Sequence, residues 1–416
     1  MNLLINLIPI IVVLTLLFLR KHMLIAGLIG GIIAMIIGQL SIDEMSGIFL
    51  GGISNMLSIT IPILYASAAV MVSKAGSIQA LIELARRSLK GKLGLLAGII
   101  VLIQGLATYM AGMGAGNTMV TAPLMAAAVG AVPEVIAAMA IISAIGFTTS
   151  PASTETVLTA ESAGREVTAH ASAMLPFVIV FYLIAIGLAI YGVYKRGALT
   201  NKEQETGAIN ESSNAQLFKY SVPALLLLIM VVFGSNLNQL FGTTIFTPAT
   251  IIIITAISTV LLTPLSSDQT SEALIDGSRF ILTTLFSVGI FLGFINMIAE
   301  LGVFEQVAEL ASHVPTSLVL PVAMILAFLI AIPSGAFTAG VLTLTLPTLA
   351  VLGLPSEAMG FVAIATGLGT QVSPVQINVA ALAKGFNKDI MDIIKDQAKY
   401  VVGMLVFVII IALIFV

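Results

Sequence analysis

The chain has no cysteine and no tryptophan, and only three histidines among 416 residues. Without cysteine there are no disulfides and no thiolate metal site. His22, His170 and His313 lie far apart near expected helix ends, where they read as interfacial polar residues. Charge is scarce too: 9% of residues are Asp, Glu, Lys or Arg, against about a quarter in soluble domains. In their place, 59% of the chain is hydrophobic and the mean hydropathy is +1.13. This composition predicts a polytopic membrane protein. The net charge of −3 says little, because the placement of charge matters more than its sum. Nothing in the sequence suggests nucleic acid as a partner.

Apolar runs long enough for about 30 Å of hydrocarbon recur from end to end. Charged punctuation sets spans near 2–19, 23–40, 47–72, 134–160 and 170–194 in the first half. The second half gives 220–240, 246–264, 277–299, 356–383 and 398–416. The first run lacks a basic n-region and a small-residue cleavage site, and reads as a permanent helix. Two further segments, 93–130 and 316–354, are apolar but broken at their centres by Gly and polar residues. Each is most simply a re-entrant hairpin, because its second arm is short for a full crossing. The fold expected is therefore all-α, with about ten transmembrane helices, two re-entrant hairpins and two broken helices.

The distribution of basic residues agrees. With both hairpins re-entrant and both termini outside, 16 of the 17 Lys and Arg residues fall in inside loops, and only Arg165 lies outside. Positive charge accumulates on the cytoplasmic side of membrane proteins. Counting 93–130 as one crossing would send Lys195, Arg196, Lys202, Lys219 and Arg279 outside. Two complete spans satisfy the same parity, so re-entrance rests on arm length and the polar tips.

One long polar stretch, 195–219, reads as a cytoplasmic linker between two halves, 1–194 and 220–416. The halves look alike. "SPASTE" (Ser150–Glu155) falls on "SPVQIN" (Ser373–Asn378) at an offset of 223, which also pairs Gly146 with Gly369. Gly116 and Pro123 fall on Gly340 and Pro347 at an offset of 224. The amphipathic segment Ser77–Lys92 is basic, whereas its counterpart Ala299–His313 carries Glu300, Glu305 and Glu309 and no Lys or Arg. Opposite charge on the two copies is what opposite sides of a membrane would produce, so the repeat is expected to be inverted.

Four polar interruptions remain inside apolar segments. They are the hairpin tips "MAGMGAGNT" (Met110–Thr118) and "PSGAFTAG" (Pro333–Gly340), and the breaks "TTSPASTET" (Thr148–Thr156) and "TQVSPVQIN" (Thr370–Asn378). Non-helical backbone at membrane depth persists only where it is buried in protein or lines a watery cavity. Pro151 and Pro374 lack an amide hydrogen and are expected unwinding points. Unwinding frees carbonyls for a cation and creates helix N-termini that favour an anion. Glycines at the tips allow a ligand close to the backbone. By contrast "GLIGGIIAMIIG" (Gly27–Gly38) has small residues without a polar partner and reads as a packing face.

Glu155 is the one carboxylate inside a break. It could bind Na⁺, titrate as a proton carrier, or hydrogen-bond for structural reasons. No Lys or Arg falls near either tip. A carboxylate substrate would then be held by hydroxyls, amides and backbone N–H groups, with charge supplied by a co-bound cation.

These residues resemble a family. Paired hairpins and broken helices, with Asn117-Thr118 at one tip and Ser-Pro at both breaks, are similar to the ion transporter superfamily of divalent-anion/sodium symporters, citrate and four-carbon dicarboxylate carriers. The passage "GTQVSPVQINVAALAKGFNKDI" (Gly369–Ile390) looks most like the dicarboxylate and citrate carriers. The resemblance covers nearly the whole chain in architecture but only short stretches in residues. It implies that Asn117, Thr118, Ser150, Ser153 and Thr154 bind substrate from the first half. From the second half it implies Ser334, Thr338, Ser373, Gln376 and Asn378. Gly116, Asn117, Thr149, Pro151 and Glu155, with Gly340 and Pro374, would serve the coupling cation. The second tip departs from the pattern, because "SGAFTAG" has no Asn-Thr pair.

The resulting expectation is a secondary transporter of the bacterial or archaeal inner membrane. It would move a small organic anion with Na⁺ or H⁺ by an elevator-type motion, as a homodimer and without another cofactor. The alternative is a sodium/proton antiporter with Glu155 as the titrating group. No enzyme activity is expected: Ser150 or Ser153 would need a nearby general base, and His170 is too far along the chain.

Overall fold

The computed structural model describes residues 3–19, 21–57, 61–77, 80, 83–84, 87, 92–112, 114–150, 153–197, 212–303, 306, 309, 315–335, 338–339, 341–342, 346 and 354–416. Among them there is no β-strand. The first half forms α1 (Leu3–Asn6), α2 (Ile8–Phe18), α3 (Met23–Gly38), α4 (Ile42–Leu57), α5 (Ile61–Lys74), α6 (Leu93–Ala111), α7 (Ala115–Val129), α8 (Pro133–Thr149), α9 (Thr154–Ser162) and α10 (Val167–Arg196). The second forms α11 (Asn214–Phe241), α12 (Pro248–Leu262), α13 (Ser267–Glu300), α14 (Thr316–Ser334), α15 (Ser356–Gln371), α16 (Ile377–Gly385) and α17 (Ile390–Phe415). Among the described residues two segments, Ala169–Arg196 and Ile390–Phe415, are long and apolar enough to cross a membrane.

Local chemistry sets many helix ends. Thr247 and Thr250 form a reciprocal capping box ahead of α12, with Pro248 in the first turn. Ser266 and Gln269 do the same for α13. Gly112 and Gly242 close α6 and α11 in the left-handed conformation, which glycine adopts without strain. Several helices outrun the apolar spans: α13 starts at Ser267 rather than 277, and α17 at Ile390 rather than 398. Such extensions are charged or amphipathic, and helix hydrogen bonding does not require an apolar surface. The span expected over 47–72 instead carries two helices, α4 and α5. Of the segment expected to be an amphipathic helix after α5, most lies outside the described residues. Arg87 within it pairs with Glu83 at 2.7 Å and donates to Asn214 Oδ1 at 2.7 Å.

The helices bury polar side chains and expose apolar ones. Gln104, Gln371 and Gln397 are fully buried. Ile253, Ile257 and Leu261 line the exposed face of α12, and Val402, Val406, Ile410 and Leu413 that of α17. An outward apolar stripe of this extent is the reverse of a helix that faces water.

Helices of the two halves cross closely. At the α4–α13 crossing, a Cβ on Gly52 would lie 2.5 Å from Gly289 O, and one on Gly289 would lie 2.6 Å from Ile53 Cα. Helices α8 and α15 cross where a Cβ on Gly367 would lie 2.6 Å from Thr148 Cγ2 and 3.1 Å from Ala144 O. Ala144 and Gly367 are themselves 223 residues apart. The same offset relates two further contacts. A Cβ on Gly146 would lie 3.0 Å from Thr108, and one on Gly369 would lie 2.9 Å from Ala331. The segments 1–194 and 220–416 thus share one core, in which α8 packs on α15 and α7 on α16.

Candidate functional site

The first break is bounded by Ser150 and Ser153, both extended, between α8 and α9. Ser153 caps α9: its Oγ accepts from Thr156 N at 3.1 Å and donates to Ser150 O at 3.0 Å. Ser150 donates to the carbonyl of Tyr109 in the first hairpin. Thr149 spends its hydroxyl on Ile145 O at 2.6 Å, on its own helix. These hydroxyls shape the break, and their protons are already committed to backbone carbonyls. Pro151 lies outside the described residues, as does the side chain of Thr154.

The second break opens after Gln371. Pro374 cannot donate, Ser373 Oγ accepts from Val375 N at 3.3 Å, and Gln376 caps α16 through Asn378 N at 3.5 Å. Asn378 sits in the first turn of α16, buried, with Nδ2 donating to Gln371 Oε1 at 2.7 Å. Gln371 Nε2 in turn donates to Thr370 Oγ1 at 3.2 Å. From α17, the fully buried Gln397 donates to the Gln371 carbonyl.

The first hairpin tip reaches this second break. Gly116, Asn117 and Thr118 form the first turn of α7, all buried. Thr118 donates its hydroxyl to Asn378 Oδ1 at 2.5 Å and accepts from Gln104 Nε2 at 3.0 Å. Gln104 Nε2 is also 3.0 Å from Met139 O and 2.6 Å from Ser143 Oγ, while its Oε1 accepts from Thr121 at 2.8 Å. The first turns of α7 and α16 therefore adjoin at Thr118 and Asn378. Their N-terminal dipoles favour negative charge there.

The second tip is described only in part. Ser334 donates to Ile330 O at 2.8 Å, and Thr338 is buried. A Cβ on Gly335 would lie 2.3 Å from Ser373 Oγ, so this tip also lies against the second break. Gly340 is outside the described residues. Glu155 is half-buried in the first turn of α9, where its carboxylate accepts a hydrogen bond from its own backbone N–H. Among the described residues there is also no cluster of three His, Asp or Glu side chains that could hold a metal ion.

Gln104, Gln371 and Gln397 are not among the expected site residues: Gln104 is a lone amide inside an apolar run, Gln371 lies within the second break, and Gln397 lies in a charged stretch beside Lys395 and Asp396. Glu134 was missed as well. It is fully buried at the start of α8, where Arg196 Nε lies 2.6 Å from Oε2 and Tyr400 donates to Oε1 at 2.5 Å. Its counterpart 223 residues on, Glu357, meets Arg165 at 2.8 Å in a more exposed pair. Neither the protein-family models nor the curated proteins contain a match to this chain.

Proposed function

We propose that the chain is a polytopic membrane protein built on an inverted repeat, and that it is a secondary transporter of a small organic anion coupled to Na⁺ or H⁺. The observation that carries this reading is the Thr118–Asn378 contact. It brings a hairpin tip of one half and the broken helix of the other into one buried polar site, with two helix N-termini and hydroxyl and amide groups. That is the constitution of a midplane substrate site in inverted-repeat transporters.

Three ion pairs support the sidedness. Lys74–Asp276 and Glu134–Arg196 each join groups that the basic-residue pattern assigns to the inside, and Arg165–Glu357 joins two assigned to the outside. The apolar exposed faces of α12 and α17 support contact with lipid. Resemblance to the ion transporter superfamily makes a di- or tricarboxylate the first substrate class to test, and an elevator-type motion of a homodimer the working mechanism.

Proteoliposomes containing the purified protein test this directly. A sodium or proton gradient is expected to drive uptake of [¹⁴C]succinate or [¹⁴C]citrate. Failure of both acids under both gradients would refute the carboxylate reading. The second reading, a sodium/proton antiporter, is favoured by the half-buried carboxylate of Glu155 beside the first break. It requires sodium-dependent proton movement without an organic solute, lost in Glu155→Gln.

A further inference from the structure

We propose that a groove between α10 and α17 binds an anionic phospholipid of the inner leaflet, with its phosphate on Lys195 and Lys399 and an acyl chain along the apolar wall. This rests on reading the chain as a membrane protein, not on what it transports.

Helices α10 and α17 carry the two segments long and apolar enough to cross a membrane among the described residues. They run antiparallel and touch at three levels. Phe177 packs on Phe415 with ring centroids 5.6 Å apart, and Phe181 on Phe407 at 6.1 Å. At the other end Arg196 Nε lies 2.6 Å from Glu134 Oε2 and Tyr400 donates to Oε1 at 2.5 Å, so one buried carboxylate ties the two helices together. A groove runs beside these contacts. Val180 and Ile184 follow Phe177 and Phe181 by three positions, and Tyr191 and Lys195 continue the same face of α10. On α17, Lys399, Gly403, Val406 and Ile410 share the face that flanks Phe407. The apolar members are exposed, and a Cβ on Gly403 would meet nothing within 4 Å.

Each wall ends in a lysine at the same level. Lys195 precedes Arg196 and Lys399 precedes Tyr400, the two residues that hold the Glu134 carboxylate. Lys195 Nζ lies 5.4 Å from the centre of the Tyr191 ring, and Lys399 Nζ 4.8 Å from that of Tyr400. Both lysines are exposed. The nearby carboxylates are engaged by other cations: Glu134 by Arg196, Asp396 by Lys388 and Asp392 by Lys395. Among the described residues this leaves Lys195 and Lys399 without an ion-pair partner. Two uncompensated ammonium groups at the mouth of an apolar groove match a phospholipid, because phosphate meets the charge and an acyl chain covers the wall. The exposed rings of Tyr191 and Tyr194 stand at this level, and tyrosine concentrates where headgroups lie. The basic-residue pattern assigns this end to the cytoplasmic side, whose leaflet carries anionic lipid. A neutral headgroup would leave the lysines uncompensated, and a soluble phosphate would leave the wall bare.

The test is thermal unfolding of the full chain in dodecyl maltoside, titrated with phosphatidylglycerol, cardiolipin, phosphatidylcholine or inorganic phosphate. The two anionic lipids are expected to raise the melting temperature saturably, and the other two additives are not. Lys195→Gln with Lys399→Gln keeps most of both stems and is expected to weaken that binding about tenfold or more, from a factor of about five for each cation. Gly403→Leu keeps both lysines and fills the groove, and is expected to weaken binding about threefold or more. Lys219→Gln with Arg279→Gln removes two cations of the same side on α11 and α13, and is expected to leave binding within about twofold. Equal stabilisation by phosphatidylcholine or by inorganic phosphate would overturn this inference alone. So would the lack of a saturable shift with either anionic lipid, or an unchanged affinity in both groove variants. Recovery of the chain in the soluble fraction without detergent would overturn the membrane reading, and this inference with it.

Discussion

Thr118 and Asn378 stand 260 positions apart, yet the hydroxyl of one donates to the side-chain oxygen of the other inside the fold. Both occupy the first turn of a helix, and neither has a charged neighbour on its own turn. A double-mutant cycle measures what this bond does. Thr118→Val and Asn378→Leu are each expected to weaken succinate or citrate binding at least about tenfold, the loss of one hydrogen bond to a charged group. The double variant is expected to add little, because removing one partner already disables the other. Titration calorimetry in detergent with NaCl present reads the effect, and full additivity of the two losses would count against a shared site.

The buried and exposed carboxylate–arginine pairs are expected to differ in worth. Arg196→Ala leaves Glu134 fully buried with only Tyr400 to stabilise it. The Arg196 side chain is 35% exposed, so solvent screens this pair in part and its loss is expected to cost about 1–3 kcal/mol, below that of a fully buried pair. Arg165→Ala disrupts a pair whose side chains are 43% and 30% exposed, for which about 1 kcal/mol or less is typical. Thermal unfolding in detergent should therefore place Arg196→Ala well below Arg165→Ala, and the reverse order would show that Glu134 is not the anchor its geometry implies.

The α4–α13 crossing makes a steric prediction. A methyl group at Gly52 would fall 2.5 Å from Gly289 O and 2.6 Å from Gly293 N, whereas one at Gly47 or Gly51 meets nothing within 4 Å. Backbone cannot yield as a flexible side chain can, so Gly52→Ala is expected to cost about 1–3 kcal/mol. Gly47→Ala, one to two turns earlier on the same helix, is expected to be neutral or slightly stabilising. Comparable melting temperatures for the two variants would mean that the helices separate readily at this crossing.

The two breaks were legible because Pro and a cluster of hydroxyls interrupt apolar runs, and the structure ends α8 at Thr149 and α15 at Gln371 accordingly. The offset of 223 was legible for the same reason: the interruptions repeat. What could not be read was pairing. Gln104 sits in "VLIQGLATYM" with no local sign that its amide faces Thr118, Met139 and Ser143. A single amide inside an apolar helix looks the same whether it faces lipid, a neighbouring helix or a ligand, and only the packing decides. Glu134 was hidden differently: at the start of a span it reads as a boundary charge, although Arg196 and Tyr400 come from α10 and α17 to enclose it. The helix N-termini show a third limit. Sequence places Asn117-Thr118 at a hairpin tip and Asn378 in a break, but not their adjacency.

The absence of cysteine permits a test of access to the site. Val375 and Ser153, in the second and first breaks, are 1% and 2% exposed. In a static membrane protein, cysteines at these positions would react slowly with a membrane-impermeant maleimide, and at the same rate under all conditions. In an alternating-access transporter each position opens to one side at a time, and the balance shifts with any ligand that prefers one state. Val375→Cys is therefore expected to be labelled from both sides of inside-out and right-side-out vesicles, with the ratio changed by Na⁺ and by a transported carboxylate. Protection by one acid and not by its close analogues would identify the ligand class as well. Labelling of both positions from a single side, unchanged by Na⁺, succinate and citrate, would be incompatible with a moving site between the two breaks.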